Sequence, residues 1–282
     1  MAVNTIAVIG AGIMGRGIAQ TAAMAGVQVI LIDVSDAAVE KAVQTIGVTL
    51  NRLVEKGKLT QDGRQSALAL IRGTTAYDGI GTAQIVIEAA TENYELKASI
   101  LKRVDPLAGA DTIVASNTSS VSITKLASLM SHPDRFIGVH FFNPVPVMTL
   151  IEIVRGLQTS DATHGTVLEF ARLLGKSPIT VKNAPGFVVN RLLLPMINEA
   201  FFVLEEGYAD AEEIDQGMKL GCNHPLGPLA LADMIGLDVL LSVMQILYAD
   251  FGDSKYRPCP LLKEMVDAGY LGRKSGRGVY SY

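Results

Sequence analysis

Residues 5–33 read TIAVIGAGIMGRGIAQTAAMAGVQVILID, and the pattern within them decides how the chain folds. Residues 5–9 are an apolar, β-prone run that ends at Gly10-Ala11-Gly12-Ile13-Met14-Gly15. Small and apolar residues continue to Ala25, Gly26 stops them, and a second apolar run over 27–32 ends in Asp33. The order is strand, glycine turn, helix, strand, acidic residue. In such a unit Gly10 permits a tight turn, Gly12 lets backbone approach a pyrophosphate, and Gly15 lets helix pack on strand. The diphosphate sits on the amides of the helix N-terminus, with Ile13 and Met14 beside it. Asp33 is placed to accept from ribose hydroxyls. No Lys or Arg follows it until Lys41, and Asp36 adds negative charge, so a 2′-phosphate is unwelcome. The expected cofactor is NAD rather than NADP.

Outward from this unit, Ala38, Val39, Ala42, Val43, Ile46 and Leu50 recur near helical spacing, and the pattern over 36–70 breaks around Gly57. That predicts a helical hairpin. Arg52, Lys56 and Lys58 lie beside the break and, on spacing alone, read as a solvated helix face. Residues 84–88 form another buried-type strand, followed by Ala89-Ala90-Thr91-Glu92 and a helix to about residue 107 that carries Lys97. The strand over 112–115 ends at Ser116-Asn117-Thr118-Ser119-Ser120. Ligands in doubly wound sheets gather at the carboxyl ends of strands, where Glu92 and Ser119 are placed. Polar residues at strand ends also serve as ordinary caps and turns.

Two further apolar, β-branched runs cover 136–142 and 150–154, and Asn143-Pro144-Val145-Pro146 bends the chain between them. Each run carries one polar group, His140 in the first and Glu152 in the second. A carboxylate in an apolar strand is costly to bury without a partner. Histidine takes and returns a proton near neutral pH, and a carboxylate on its other nitrogen fixes its tautomer. For the pair taken alone, a buried structural hydrogen bond is the plainer alternative.

The chain has 282 residues, 49% of them hydrophobic, which suits two domains with sizeable cores. With 18% charged residues and a net charge of −4, nothing basic is clustered as a dedicated nucleic-acid binder requires. Cys222 and Cys259 are too few for a disulfide framework and lack CxxC spacing, so a reducing compartment and no metal site are expected. Met1 leads into strand-like TIAVIG without a basic leader, and no apolar run reaches membrane-spanning length. A soluble, cytoplasmic protein without a targeting peptide is therefore expected. After a helical pattern over 161–174 and a short strand over 178–181, Lys182-Asn183-Ala184-Pro185-Gly186 breaks the chain. From residue 187 to about 248 long apolar helical runs replace strand alternation, and Asp210-Ala211-Glu212-Glu213 forms a capping box. The fold expected is α/β. Residues 1–183 form a Rossmann-type dinucleotide-binding domain with an inserted helical hairpin, and residues 184–282 an all-helical domain. The surplus of Leu, Met and Phe over 201–246, with Leu237, Leu240 and Met244 among them, exceeds what about a hundred residues hide alone. A homodimer interface is expected there.

GAGIMG, ASNTSS, HFFNPVPVM, APGFVVNRLL and the ending GRKSGRGVYSY together resemble the 3-hydroxyacyl-CoA dehydrogenases. The resemblance runs over essentially the whole chain, and its nearest branch is the short, single-function bacterial type acting on 3-hydroxybutyryl-CoA. It implies an NAD-dependent enzyme that reversibly oxidises (S)-3-hydroxybutyryl-CoA to acetoacetyl-CoA, in fatty-acid β-oxidation or butanoate metabolism. It implies that His140 is the catalytic base, that Glu152 is its carboxylate partner, and that Ser119 hydrogen-bonds the reacting oxygen. Asn190 and Asn143 are implied as substrate contacts, Asn143 near nicotinamide. Glu92 and Lys97 match positions near the nicotinamide ribose, Asn117 joins the cofactor site, and Arg52 and Lys56 fall where the hairpin offers basic groups to CoA phosphates. Many relatives carry Lys after VPVM, where this chain has Thr149. Two rivals remain in view. Dehydrogenases of small free 3-hydroxy acids share the glycine turn but usually rely on a lysine in the helical domain, where PGFVVNR offers Asn190. A non-catalytic dinucleotide-binding protein has no use for Ser119, His140, Glu152 and Asn190 together.

Overall fold

In the computed structural model, which describes residues 3–282, the chain divides between Ala184 and Pro185 into two units. The first is built on eight strands: β1 (Thr5–Ile9), β2 (Gln28–Ile32), β3 (Ile71–Thr74), β4 (Ile85–Glu88), β5 (Ile113–Ser116), β6 (Phe136–Phe141), β7 (Leu150–Arg155) and β8 (Ser177–Lys182). Their order in the sheet is β3-β2-β1-β4-β5-β6-β7-β8. The first six run parallel, whereas β7 pairs antiparallel with β6 and parallel with β8. Strand order reverses between β1 and β4, the switch point at which doubly wound sheets hold ligands. α1 (Ile13–Met24) follows the glycine turn, and Ile6, Val8, Ile18 and Leu31 are fully buried where helix and strands pack. Burying a side chain of this size stabilises by about 1.5–3 kcal/mol.

The hairpin is α2 (Asp36–Glu55) and α3 (Gln61–Ala69), capped by Ser35, which accepts from the Ala38 amide at 3.4 Å, and by Thr60, which accepts from Gly63 at 3.0 Å. Gly57 turns between them at φ +65. α4 (Tyr94–Val104) follows β4, α5 (Ile123–Ala127) follows the serine-rich turn, and α6 (Asp161–Leu173) lies between β7 and β8. β3 is absent from the sequence reading. Its four residues, IRGT, leave Arg72 and Gly73 exposed, and they are held by parallel pairing with β2.

The second unit comprises α7 (Val189–Glu205), α8 (Ala211–Gly221), α9 (Pro228–Ile235), α10 (Leu237–Phe251) and α11 (Pro260–Asp267). The capping box at α8 is present: Asp210 accepts from the Glu213 amide at 2.9 Å. α9 and α10 meet at 98° through Gly236, whose φ of +104 favours glycine. The structure corrects one expectation here. Leu237, Leu240 and Met244 are 0% exposed and belong to the unit's own core, with Phe201, Ile197 and Leu247. Helices crossing at steep angles bury apolar residues on more than one face, so these three are consumed internally rather than offered to a second copy. The C-terminal residues are tied in by two buried carboxylates. Asp233 accepts from the Val279 and Tyr280 amides at 2.9 Å each, and Asp215 accepts from the Tyr280 hydroxyl at 2.8 Å. Among the described residues no single helix is long and apolar enough to cross a membrane.

Candidate active site

At the carboxyl end of β1 the chain turns through Gly10 at φ +103, and a Cβ there would lie 2.7 Å from the Ala89 carbonyl oxygen. A Cβ on Gly15 would overlap the Gly10 carbonyl, so both positions exclude a side chain. Asp33 lies just beyond β2, where its Oδ2 accepts from the Ala11 amide at 2.6 Å and its Oδ1 from Val34 at 2.7 Å. A carboxylate offers about four acceptor sites, so two remain for a ligand. Gly10, Asp33, Val34 and Ala89 line a cavity of about 440 Å³ together with Gly12, Tyr77 and Arg103, whose guanidinium lies 3.9 Å over the Tyr77 ring. A cavity lined by a glycine turn and a carboxylate fits an adenosine diphosphate moiety. Asp33→Ala should weaken NADH binding and relax discrimination against NADPH by roughly one to two decades, since rejecting the phosphate is worth about 1–3 kcal/mol. Steady-state comparison of the two cofactors checks this, and a wild type that uses both equally would sink it.

At the ends of β4 and β5 lies a charged network that the sequence reading found only in part. Lys97 is fully buried, with its ammonium 3.0 Å from both Glu88 oxygens and 3.3 Å from Glu92 Oε2. Glu92 Oε1 accepts from Thr118 Oγ1 at 2.6 Å, the Ser119 and Ser120 amides at 2.7 and 2.9 Å, and both serine hydroxyls. Burial alone pushes the Glu92 carboxyl up, but the Lys97 ammonium and the Thr118, Ser119 and Ser120 hydrogen bonds outweigh it and hold the group below the usual carboxylate range. Its stabilising contribution is therefore present above the ordinary glutamate pKa and lost as pH falls through the depressed value. Glu88, at 0% exposure, was missed. The signal was there: like Asp33, it is a carboxylate that closes an all-apolar strand. Asn117 spends its side-chain oxygen on the Phe141 amide at 2.9 Å, which ties β5 to β6 beside His140.

His140 and Glu152 stand directly opposite each other in the antiparallel β6–β7 register, with Nδ1 2.7 Å from Oε2. Directly opposed side chains share one face of a sheet. Glu152 is fully buried and His140 nearly so. A carboxylate only accepts, so Nδ1 is the donor, and in the neutral imidazole the lone pair is then on Nε2. The bend between the strands is clamped by a residue absent from the sequence reading. Lys176 donates to the Val145 and Met148 carbonyls at 2.5 and 2.7 Å, and burial pushes its ammonium pKa down. Val145 packs against Gly17 of α1, while Asn143 is exposed in the bend. Gly10, Asp33, Glu88, Glu92, Ser119 and His140 thus all lie at or just past the carboxyl ends of parallel strands of one sheet. Arg52 and Lys56 are exposed at the end of α2. Asn190 lies in the first turn of α7, in the second unit.

A family model described as 3-hydroxyacyl-CoA dehydrogenase, NAD binding domain, matches residues 5–184, and one described as the C-terminal domain of the same dehydrogenase matches residues 186–282. The chain is 51% identical over its full length to a probable 3-hydroxybutyryl-CoA dehydrogenase of Bacillus subtilis, covering 98% of that protein. It is 49% identical, over 99% of the chain and 96% of the relative, to the 3-hydroxybutyryl-CoA dehydrogenase of Bradyrhizobium diazoefficiens. The crystal structure of (S)-3-hydroxybutyryl-CoA dehydrogenase from Ralstonia eutropha matches with a TM-score of 0.98 and 63% identity, over 100% of this chain and 99% of that one.

Proposed function

We infer the chemistry from one premise: the chain belongs to the 3-hydroxyacyl-CoA dehydrogenase family. It is an NAD-dependent oxidoreductase, and its reaction is the reversible oxidation of (S)-3-hydroxybutyryl-CoA to acetoacetyl-CoA. The observation that carries the proposed mechanism is the His140–Glu152 pair, 2.7 Å apart, with His140 near the carboxyl end of β6. NAD, when bound, takes up the hydride that leaves C3 of the substrate. Nε2 of His140 takes the hydroxyl proton, and the Glu152 carboxylate stabilises the imidazolium that forms. In reduction the same imidazolium returns the proton, as microscopic reversibility requires. Ser119, Asn143 and Asn190 are substrate contacts on the strength of the resemblance, and Glu92 belongs to the nicotinamide-ribose side. The test is NADH consumption with acetoacetyl-CoA, expected to be rapid, and with free acetoacetate, expected to be negligible. Comparable kcat/KM for acetoacetate would move the chain to the dehydrogenases of free 3-hydroxy acids, and no turnover of either would make it a binding protein.

Arg52 and Lys56 are proposed to meet the CoA phosphates. Exposed charge contacts are screened by salt and worth about 1 kcal/mol or less each. Replacing both with Gln should raise KM for acetoacetyl-CoA, leave KM for NADH alone and flatten the salt dependence. An unchanged acyl-CoA KM at low salt returns them to a solvated helix face. Two copies are proposed to associate through the helical unit, whose surface keeps Leu192, Met234, Val239 and Tyr248 exposed after its core is filled. Met234→Asp combined with Val239→Asp should turn a dimer into monomers in sedimentation. A wild-type monomer, or a dimer indifferent to both changes, removes that proposal. A cytoplasmic location suits the exposed free thiol of Cys222.

A further inference from the structure

We propose that Glu88 and Lys97 form a buried positioning pair, in which Glu88 holds the Lys97 ammonium so that Glu92 keeps one oxygen turned to the Ser119 turn. The kinetic consequence rests on the dehydrogenase reading above; the structural consequence does not. Glu88 is 0% exposed, so it touches neither cofactor nor substrate. It instead ties three segments together. Its Oε1 accepts from the Ala90 amide at 2.7 Å, its Oε2 from Ser116 Oγ at 2.5 Å, and both oxygens face Lys97 of α4 at 3.0 Å.

The charges in this network do not balance in pairs. One ammonium with three protons faces four acceptors: the two Glu88 oxygens, Glu92 Oε2 at 3.3 Å and the Ala90 carbonyl at 3.3 Å. The shorter contacts go to Glu88, which keeps Lys97 seated below the loop and leaves Glu92 its looser partner. Glu92 therefore divides its carboxylate. Oε2 faces Lys97, while Oε1 gathers two amides and three hydroxyls of Thr118, Ser119 and Ser120. Neutralising Glu88 leaves Glu92 as the only anion at the ammonium, and a charge-assisted contact outcompetes neutral donors. The carboxylate is then drawn off the turn that carries Ser119. Removing Lys97 as well has a different consequence. The charged groups at Glu92 are Lys97 from α4 and, behind it, Glu88 from β4. Lys125 of α5 lies over the Tyr94 ring, 3.8 Å from its centroid, and the turn contributes hydroxyls and amides. Without Lys97, the largest influence opposing burial is gone, the turn's hydrogen bonds alone resist it, and the Glu92 carboxyl protonates at higher pH than in wild type.

The experiment uses the full chain as Glu88→Gln, which keeps shape and acceptor oxygen, and as Glu88→Gln/Lys97→Met, which removes the buried charges together and so preserves folding. Amide exchange is read at Ser119 and Ser120 against β4 and β5, alongside kcat for acetoacetyl-CoA reduction and a pH profile of kcat/KM. In Glu88→Gln the two serine amides should exchange about tenfold faster or more, a factor equal to 1.4 kcal/mol, with the strand amides unchanged. Misplacing the turn should lower kcat by up to about 10²-fold. The double variant should melt near wild type yet gain an acid limb in kcat/KM, with serine-amide protection lost over the same pH range. Wild-type protection and turnover in Glu88→Gln overturn the proposal. So do losses spread evenly over the strands that vanish, with no acid limb, in the double variant, since that is a structural ion pair and nothing more. If Glu88→Gln does not fold, the double variant decides alone. If wild type fails to reduce acetoacetyl-CoA, the functional reading fails, and exchange at Ser119 and Ser120 still decides the role of Glu88.

Discussion

His140→Gln is expected to lower kcat for acetoacetyl-CoA reduction by about 10²–10⁴-fold, the usual contribution of a positioned acid–base group. KM for NADH should stay close to wild type, because the cavity proposed for the dinucleotide is walled by Gly10, Asp33 and Tyr77 rather than by β6. Glutamine fills a similar volume and still hydrogen-bonds Glu152, so the loss reports proton transfer rather than collapse of the strand pair. A variant that keeps more than about a tenth of wild-type kcat would remove His140 from the chemistry, since such a loss falls below the acid–base range.

The second large effect is expected at Glu152→Gln. Its side chain is fully buried and faces Nδ1 of His140 at 2.7 Å, so the substitution keeps shape and an acceptor oxygen while removing the charge that stabilises imidazolium. In a Ser-His-Asp triad the corresponding amide replacement lowers kcat about 10⁴-fold through the wrong tautomer. Here a loss of at least about 10²-fold is expected by the same physics, with KM for acetoacetyl-CoA changed little because Glu152 lies behind the imidazole. Thermal melting separates this from destabilisation: kcat should fall in protein that still melts cooperatively. A raised acyl-CoA KM with kcat intact would make Glu152 a substrate contact instead.

Both residues were legible because each is a lone polar group in a run of apolar, β-branched residues, a pattern that demands a partner and has few to choose from. The β1–α1–β2 unit was legible for a related reason. Its periodicity, its glycines and its terminal Asp33 are local signals read within one stretch. β3 was not, because an edge strand with Arg72 and Gly73 exposed has no apolar pattern and exists only through its neighbour β2. Lys97 was visible as a residue but its partner Glu88 was not, since a strand end and the next helix are brought within 3.0 Å only by tertiary packing. The helical unit shows a different limit. Counting Leu237, Leu240 and Met244 gives the amount of apolar surface, but whether it meets another copy or the same unit depends on helix crossing geometry.

The central claim is that proton transfer at the C3 oxygen runs through His140 and that Glu152 acts only through it. Its most direct test is kcat for acetoacetyl-CoA reduction at the four corners of one cycle: wild type, His140→Gln, Glu152→Gln and the double variant. Groups that act as one unit are strongly non-additive, so the double variant should fall within about threefold of His140→Gln alone. Losses that multiply in full would give Glu152 a role of its own at the substrate and contradict the account.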